Sequence, residues 1–179
     1  MPKPPNPESR ILNPKGERLA KRLARAGLCS RREAERWIEE GRVSVNGKKI
    51  TSPAFNVSEE DDIKVDGKPL AKKEATRLWL YHKPTGLLTT HKDPGGRPTV
   101  FDALPKNMPR VISVGRLDVN SEGLLLLTND GALARKLELP STGWIRRYRV
   151  RVYGAITPKM IAEMKKGVKA DDVQYGSVE

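Results

Sequence analysis

The stretch ERLAKRLARAGLCSRREAERWIEEGRVSVNGKKI, residues 17–50, decides the N-terminal fold. Wound at ~100° per residue, its first part gathers leucine and alanine on one face and basic side chains on the other. Gly27 is placed to end this helix in a left-handed conformation. Residues 30–33, SRRE, form a capping box that predicts the start of a second helix. The pattern then changes to period two and reaches Asn46-Gly47, a strong hairpin signal. Two short helices followed by a small sheet are therefore expected.

The charge balance of the whole chain points to a polyanionic partner. Lysine and arginine number 34 against 22 acidic residues, which gives a formal net charge of +12. Such a field attracts nucleic acid and stabilises phosphate contacts through counterion release. No apolar run approaches the length of a spanning helix, and the N-terminus lacks the apolar core of a secretory signal. Cys29 is the single cysteine, so an intramolecular disulfide and a thiolate-rich zinc cluster are excluded. A cytoplasmic monomer without membrane contact is expected.

The basic side chains of the helix pair form a one-sided cluster. Residues 18–32 hold six basic side chains and no acidic one. Arg31 and Arg32 fall in the first turn of a helix, where the backbone is already partly positive and prefers anions. Their placement makes sense if a phosphate completes the site. The alternative is a set of solvated surface charges, but a cluster that continues across a turn favours RNA or DNA binding.

These residues also carry a family resemblance. The stretch RLAKRLARAGLCSRREAERWIEEGRVSVNGKKI and the later DDIKVDG resemble an S4 RNA-binding domain. The resemblance implies a helix pair that docks on structured RNA and recognises shape and phosphates more than sequence. The RNA contacts that it implies are Arg18, Lys21, Arg25, Ser30, Arg31, Arg32 and Lys48.

The rest of the chain predicts a second domain with a sheet and flanking helices. We expect a short buried strand at 78–81, a strand at 111–114, a fully buried strand at 124–127, an alternating strand at 144–153 with Tyr148 inward, and short helices after 131 and 158. The fold class is therefore α+β, with a mixed or antiparallel sheet in the second domain. The predicted divisions are a flexible basic tail (1–16), the RNA-binding module (17–70), a linker (71–77) and the second domain (78–179).

A candidate catalytic carboxylate, Asp118, lies in GRLDVNSEGLLLLTNDG, residues 115–131. If this stretch begins extended, Arg116 and Asp118 project to the same side. An arginine beside a carboxylate lowers the pKa of that carboxylate and keeps it ionised, as attack on a sugar carbon requires. A surface ion pair before a turn explains the spacing equally well.

The same motif is similar to the catalytic motif of the rRNA pseudouridine synthases, in the branch that carries an N-terminal S4 domain. YHKPTGLLTT and DPGGRPTVFDALP resemble the first motif region of that branch, and RRYRVRVYG resembles its tyrosine motif. The residues of these motifs resemble those of enzymes that act on large-subunit rRNA more than those of enzymes that act on the small subunit. The resemblance implies isomerisation of uridine without metal, nucleotide or cofactor.

The resemblance also implies roles for individual residues. Asp118 would attack C1′ of the ribose or remove the C2′ proton, and Tyr148 would lie beside the base. Arg116 would pair with Asp118 or hold the RNA. Lys83 and Pro84 are candidates for the lining of the site, although a Lys-Pro pair alone indicates only a turn. A third, basic motif of the family has no match here, so we expect an incomplete catalytic domain. A non-catalytic RNA-binding protein of ribosome assembly is the alternative.

Overall fold

The computed structural model describes residues 16–71 and 74–177. The predicted tail, except Gly16, and Lys72 and Lys73 of the predicted linker lie outside the described residues. The N-terminal module contains β1 (Glu17–Arg18), α1 (Leu19–Arg25), α2 (Arg31–Glu39), β2 (Val43–Val45), β3 (Lys48–Ile50), β4 (Asn56–Val57), β5 (Ile63–Val65) and β6 (Lys68–Pro69).

Local signals set the boundaries of these elements as predicted. Gly27 follows α1 with φ +80°, which a residue with a side chain adopts only under strain. Ser30 caps α2, and both bonds of the capping box with Glu33 are present. Asn46 and Gly47 have φ +51° and +78°, the signs of a type I′ hairpin between β2 and β3. The predicted helix pair and hairpin are confirmed.

The module's sheet has the order β3-β2-β5-β6 and is antiparallel throughout, while β1 pairs with β4 apart from it. Val43, Val45 and Ile63 point inward from alternate positions of the strands. Leu23 and Ile38 contribute from the two helices, and all five side chains belong to one buried cluster. This core fixes the α1–α2 turn over the sheet.

A second antiparallel sheet has the order β7-β9-β8. It is built from β7 (Leu78–Lys83), β8 (Ile112–Val114) and β9 (Gly123–Thr128), and is followed by α3 (Gly131–Glu138) and a 3₁₀ turn (Pro140–Thr142). Asp130 caps α3 by accepting hydrogen bonds from the backbone N–H groups of Ala132 and Leu133. The antiparallel sheet with flanking helices confirms the predicted α+β class.

Only one face of this sheet is fully covered. Leu125 and Leu127 are buried in a cluster against which Trp79 and Tyr81 pack. On the opposite face Leu80 is 76% exposed and Leu124 is 65% exposed. The predictions of a buried strand at 78–81 and a fully buried strand at 124–127 were therefore wrong. A continuous apolar run reflects burial on both faces in parallel sheets, whereas this antiparallel sheet buries alternate residues.

Residues 145–179 form a separate compact unit. It contains α4 (Pro158–Lys166), β10 (Lys169–Ala170) and β11 (Val173–Gln174), and Thr157 caps α4 as predicted. The strand predicted at 144–153 is absent: a strand requires a hydrogen-bonded neighbouring strand, and none of the strands in the described residues forms a ladder with this segment. Tyr148 and Val150, predicted to point inward, are exposed.

Among the described residues, no helix is both long enough and apolar enough to span a bilayer.

Candidate active site

Asp118 lies in the loop between β8 and β9, which follows a left-handed Gly115 with φ +72°. Arg116 and Asp118 are exposed, whereas Leu117 between them packs against the core of the second sheet. Thr89 holds Leu117 through two hydrogen bonds. The Thr89 hydroxyl donates to the Leu117 carbonyl at 2.7 Å, and the Leu117 N–H donates to the Thr89 Oγ1 at 3.3 Å. The Asp118 side chain thus faces solvent, while the adjacent Leu117 is held in place.

The ion pair considered between Arg116 and Asp118 does not form within the described part of the chain. Both side chains are exposed, and an exposed pair gains little Coulomb energy against the rotamer freedom that it costs. The nearby positive charge that interacts with the Asp118 carboxylate belongs to Lys83. Of the two roles considered for Arg116, pairing with Asp118 is thus not seen, and contact with RNA stays a prediction.

Lys83 ends β7 with its side chain fully buried. Its ammonium group donates to the backbone carbonyls of Ser121 at 2.8 Å, Asp118 at 2.9 Å, Pro84 at 3.0 Å and, at the longer distance of 3.4 Å, Val119. Every N–H donor of the ammonium thus has an acceptor, as a buried cation requires. Three of these carbonyls belong to the loop that carries Asp118, so Lys83 fixes the position of that loop.

Burial lowers the pKa of Lys83, and the Asp118 carboxylate partly opposes this shift. The ammonium contacts main chain and the side chain is fully buried, so Lys83 supports the loop that carries Asp118 and does not face solvent. Two backbone bonds support the same geometry: the Ser121 N–H donates to the Asp118 carbonyl, and the Gly86 N–H donates to the Val119 carbonyl at 2.7 Å. Pro84 contributes its carbonyl to the lysine, while its ring is exposed.

The predicted RNA contacts of the helix pair lie in two settings. Glu17 accepts ion pairs from Lys21 at 3.8 Å, from Arg22 at 3.6 Å and from Arg25. Arg18 donates to the backbone carbonyl of Ala54. The side chains of this first group are therefore already engaged within the module.

The second group faces solvent. Arg31, Arg32 and Lys48 are exposed, and in the part of the chain that the structure describes none of the three forms an ion pair. Ser30 precedes this pair of arginines as the N-cap, with its Oγ 3.2 Å from the Glu33 N–H that it accepts. Ser30 therefore shapes the turn, and the open positive charge lies at the first turn of α2.

Comparison with family models decides the identity of the second domain. The model of the RNA pseudouridylate synthases matches residues 77–178, more than half of the chain. The chain belongs to this family. A second model, that of the S4 domain, matches residues 17–63, so the chain also carries the S4 domain that its sequence resembles. Asp118, Lys83 and Thr89 all fall within the synthase match.

Individual relatives agree with the family. The chain is 57% identical over 159 residues to an uncharacterized RNA pseudouridine synthase of Rickettsia felis, and the match covers 89% of this chain and 69% of that one. It is 48% identical to the ribosomal large subunit pseudouridine synthase B of Pseudomonas aeruginosa, covering 89% and 42%, and to that of Yersinia pestis, covering 88% and 51%. The chain spans about two thirds of the Rickettsia felis relative and about half of the other two.

Two contacts that hold the loop of Asp118 were not predicted from sequence: that of the buried ammonium of Lys83, a residue named only as a candidate for the lining of the site, and that of the Thr89 hydroxyl. Lys83 has the same strand phase as Trp79 and Tyr81, so its inward direction could have been found from the alternation of β7. Thr89 has no such signal, because its partner Leu117 lies in a loop 28 residues away. Tyr148 belongs to the separate unit of residues 145–179, where its side chain is 66% exposed.

Proposed function

We propose that this protein converts a uridine of ribosomal RNA to pseudouridine and that Asp118 is the catalytic carboxylate. The observation that carries the proposal is an exposed carboxylate on a loop whose backbone is held from below by the buried ammonium of Lys83. A preorganised group of this kind can meet a ribose without first paying to order itself. The substrate class is supported by relatives named for large-subunit rRNA.

The proposed reaction is an isomerisation that starts at the ribose of a uridine. The bond between C1′ and N1 breaks, the uracil turns, and a new bond joins C1′ to C5. The proton on C5 leaves to solvent and N1 gains a proton, so atoms balance without an added reagent. The target nucleotide must leave its stack before the carboxylate can reach it, and protein contacts offset that cost.

The proposal assigns the remaining residues as the family resemblance implies. Tyr148 contacts the uracil base, and Arg116, which forms no ion pair with Asp118, contacts the RNA that surrounds the target. Residues 17–70 serve as the RNA-binding module and residues 78–179 belong to the catalytic domain. The reaction is proposed to proceed in the cytoplasm, on a monomeric enzyme, without a metal or an organic cofactor.

Release of tritium from C5-labelled uridine in ribosomal RNA tests this proposal directly, since the C5 proton is lost in each turnover. Wild-type protein should release tritium, and Asp118→Asn should reduce the rate roughly a thousandfold or more because a carboxamide cannot attack or take a proton. Asp62→Asn is the matched control, because it removes the same charge from an exposed aspartate of the S4 domain.

The control variant should release tritium at the wild-type rate to within a factor of about two. Release that survives Asp118→Asn would remove that carboxylate from the mechanism. RNA binding by the wild type without any release would overturn the enzymatic proposal and leave an RNA-binding protein.

A further inference from the structure

A cavity of about 300 Å³ lies outside the loop of Asp118. It is formed within the connection between β7 and β8, residues 84–111. Its lining includes two aromatic rings, those of His91 and Phe101, whose centroids are 3.6 Å apart at an interplanar angle of 15°. His91 is exposed while Phe101 is half-buried against the core of the second sheet. A flat aromatic pair supported from beneath therefore opens to solvent.

Charged groups of both signs line the same cavity. Lys106 and Arg110 supply two cations, and in the described ranges no carboxylate forms an ion pair with either of them. Asp102 supplies one carboxylate, whose Oδ2 accepts from the backbone N–H and the hydroxyl of Thr99 at 2.9 and 2.7 Å. These bonds lower the pKa of Asp102, so its carboxylate is ionised at neutral pH. The cavity can thus bind an anion through its two cations and accept a hydrogen bond from an N–H donor through Asp102.

Arg110 connects this cavity to the S4 domain. Burial raises the pKa of the Cys29 thiol to about 11, and the positive charge of Arg110 partly opposes this shift. Cys29 lies in the α1–α2 turn, directly before Ser30 and the exposed Arg31. The charge of this cavity-lining arginine therefore reaches the α1–α2 turn of the S4 domain.

Arg110 also acts on His91. Partial desolvation of the imidazole, one face of which stacks on Phe101 while the residue stays exposed, and the Arg110 guanidinium together lower the pKa of His91, so the ring is neutral at physiological pH. A neutral imidazole does not repel the cations around it and offers a flat surface of low charge. Aromatic faces of this kind stack on nucleobases regardless of base identity.

We propose that this cavity takes an unpaired nucleotide of the RNA substrate, with its base stacked on His91 and its phosphate bound by Arg110. The inference rests on the proposed function for the identity of the polymer. RNA recognition by aromatic stacking on an unpaired base, next to cations that bind phosphate, is the chemistry that this lining provides. Asp102 adds an acceptor for an exocyclic amino group.

Fluorescence anisotropy of the full chain with a fluorescein-labelled stem-loop RNA tests the subsite. The stem-loop carries one unpaired adenosine, whose amino group can donate to Asp102, and a second version has an abasic residue at that position. His91→Ala should weaken binding of the adenosine RNA about tenfold, which corresponds to the loss of one base–aromatic stack. Binding of the abasic RNA should change less than about twofold, because that RNA has no base to stack.

Two variants guard the interpretation. His91→Tyr keeps a flat ring and should restore most of the affinity for the adenosine RNA, which a general effect on folding would not do. His82→Ala removes an exposed histidine from β7, outside the cavity lining, and should leave both affinities unchanged. Equal losses for the two RNAs in His91→Ala, or no loss, would overturn the proposal.

Arg110→Gln separates the phosphate contact from the stack. It should weaken both RNAs alike and reduce the slope of log affinity against log salt by about one. An unchanged slope would remove Arg110 from the proposed contact.

The subsite and the catalytic proposal can fail separately. Tritium release by wild-type protein together with no difference between the two RNAs in His91→Ala would reject the subsite and keep the enzyme. A base-dependent loss in His91→Ala without tritium release from wild type would keep the subsite and reject the enzyme.

Discussion

In the S4 domain three cationic side chains of α1 surround one carboxylate, that of Glu17, near the surface, whereas in the synthase domain the single ammonium of Lys83 is buried among carbonyl oxygens. The cations of the first arrangement lie near the surface, so they can exchange the Glu17 carboxylate for phosphates with a small change in free energy. The second cannot reach a ligand at all, yet it sets the shape of the loop that presents Asp118. Burial and partners, more than the number of charges, decide what a cation does.

Substitution of Lys83 has the largest expected effect and is the strongest test of this comparison. Lys83→Met removes the only ammonium donor to the carbonyls of Pro84, Asp118 and Ser121 and leaves Asp118 only the Ser121 N–H, so the free energy of unfolding should fall by about 3 kcal/mol. Urea unfolding of the pure protein measures the change. Tritium release should fall as well, because the loop of Asp118 loses its support.

Lys92→Met is the control for this experiment, since Lys92 is an exposed lysine of the same domain. Its free energy of unfolding should stay within about 0.5 kcal/mol of wild type. Equal and small effects of the two substitutions would show that the buried ammonium does not hold the loop.

A smaller effect distinguishes the open cations of the S4 domain from the paired ones. Arg31→Gln should weaken RNA binding about fivefold and lower the salt slope by about one, because an unpaired guanidinium contacts phosphate. Arg25→Gln should change the affinity less, since Arg25 already pairs with Glu17. Anisotropy titrations at several salt concentrations measure both. A larger loss for Arg25 would reverse the assignment of open and paired cations.

The smallest effect concerns Glu17 itself. Glu17→Gln frees Lys21, Arg22 and Arg25 from their shared carboxylate, so RNA affinity at low salt should rise about threefold. Glu35→Gln changes the net charge equally, but no ion pair of the described residues involves Glu35. It should raise the affinity less. Equal increases would show that net charge alone, and not the local pairing, limits binding.

Sequence predicts the S4 domain well because its determinants are local. The capping box at Ser30 and the left-handed pair Asn46-Gly47 act within a few residues, and each is present as expected. The candidate carboxylate was also found from sequence, since Asp118 lies in a motif that a family resemblance identifies.

Long-range partners account for what the sequence did not predict. The carbonyls that bind Lys83 include those of residues 35 and 38 positions away, and no periodicity encodes such a pairing. The strand predicted at 144–153 failed for a related reason, because alternation specifies the faces of a strand but not the neighbour that must complete it. The stack of His91 on Phe101 joins two loop segments, where pattern carries no information.

The burial of Lys83 has a practical consequence for following motion in this protein. It is the one lysine with a fully buried side chain in residues 16–71 and 74–177. Amine-reactive reagents must therefore modify the other described lysines first, and can reach Lys83 only when the segment above it lifts away. The rate at which that single amine is acylated reports how often the loop opens, and tightly bound RNA that steadies the loop would slow it.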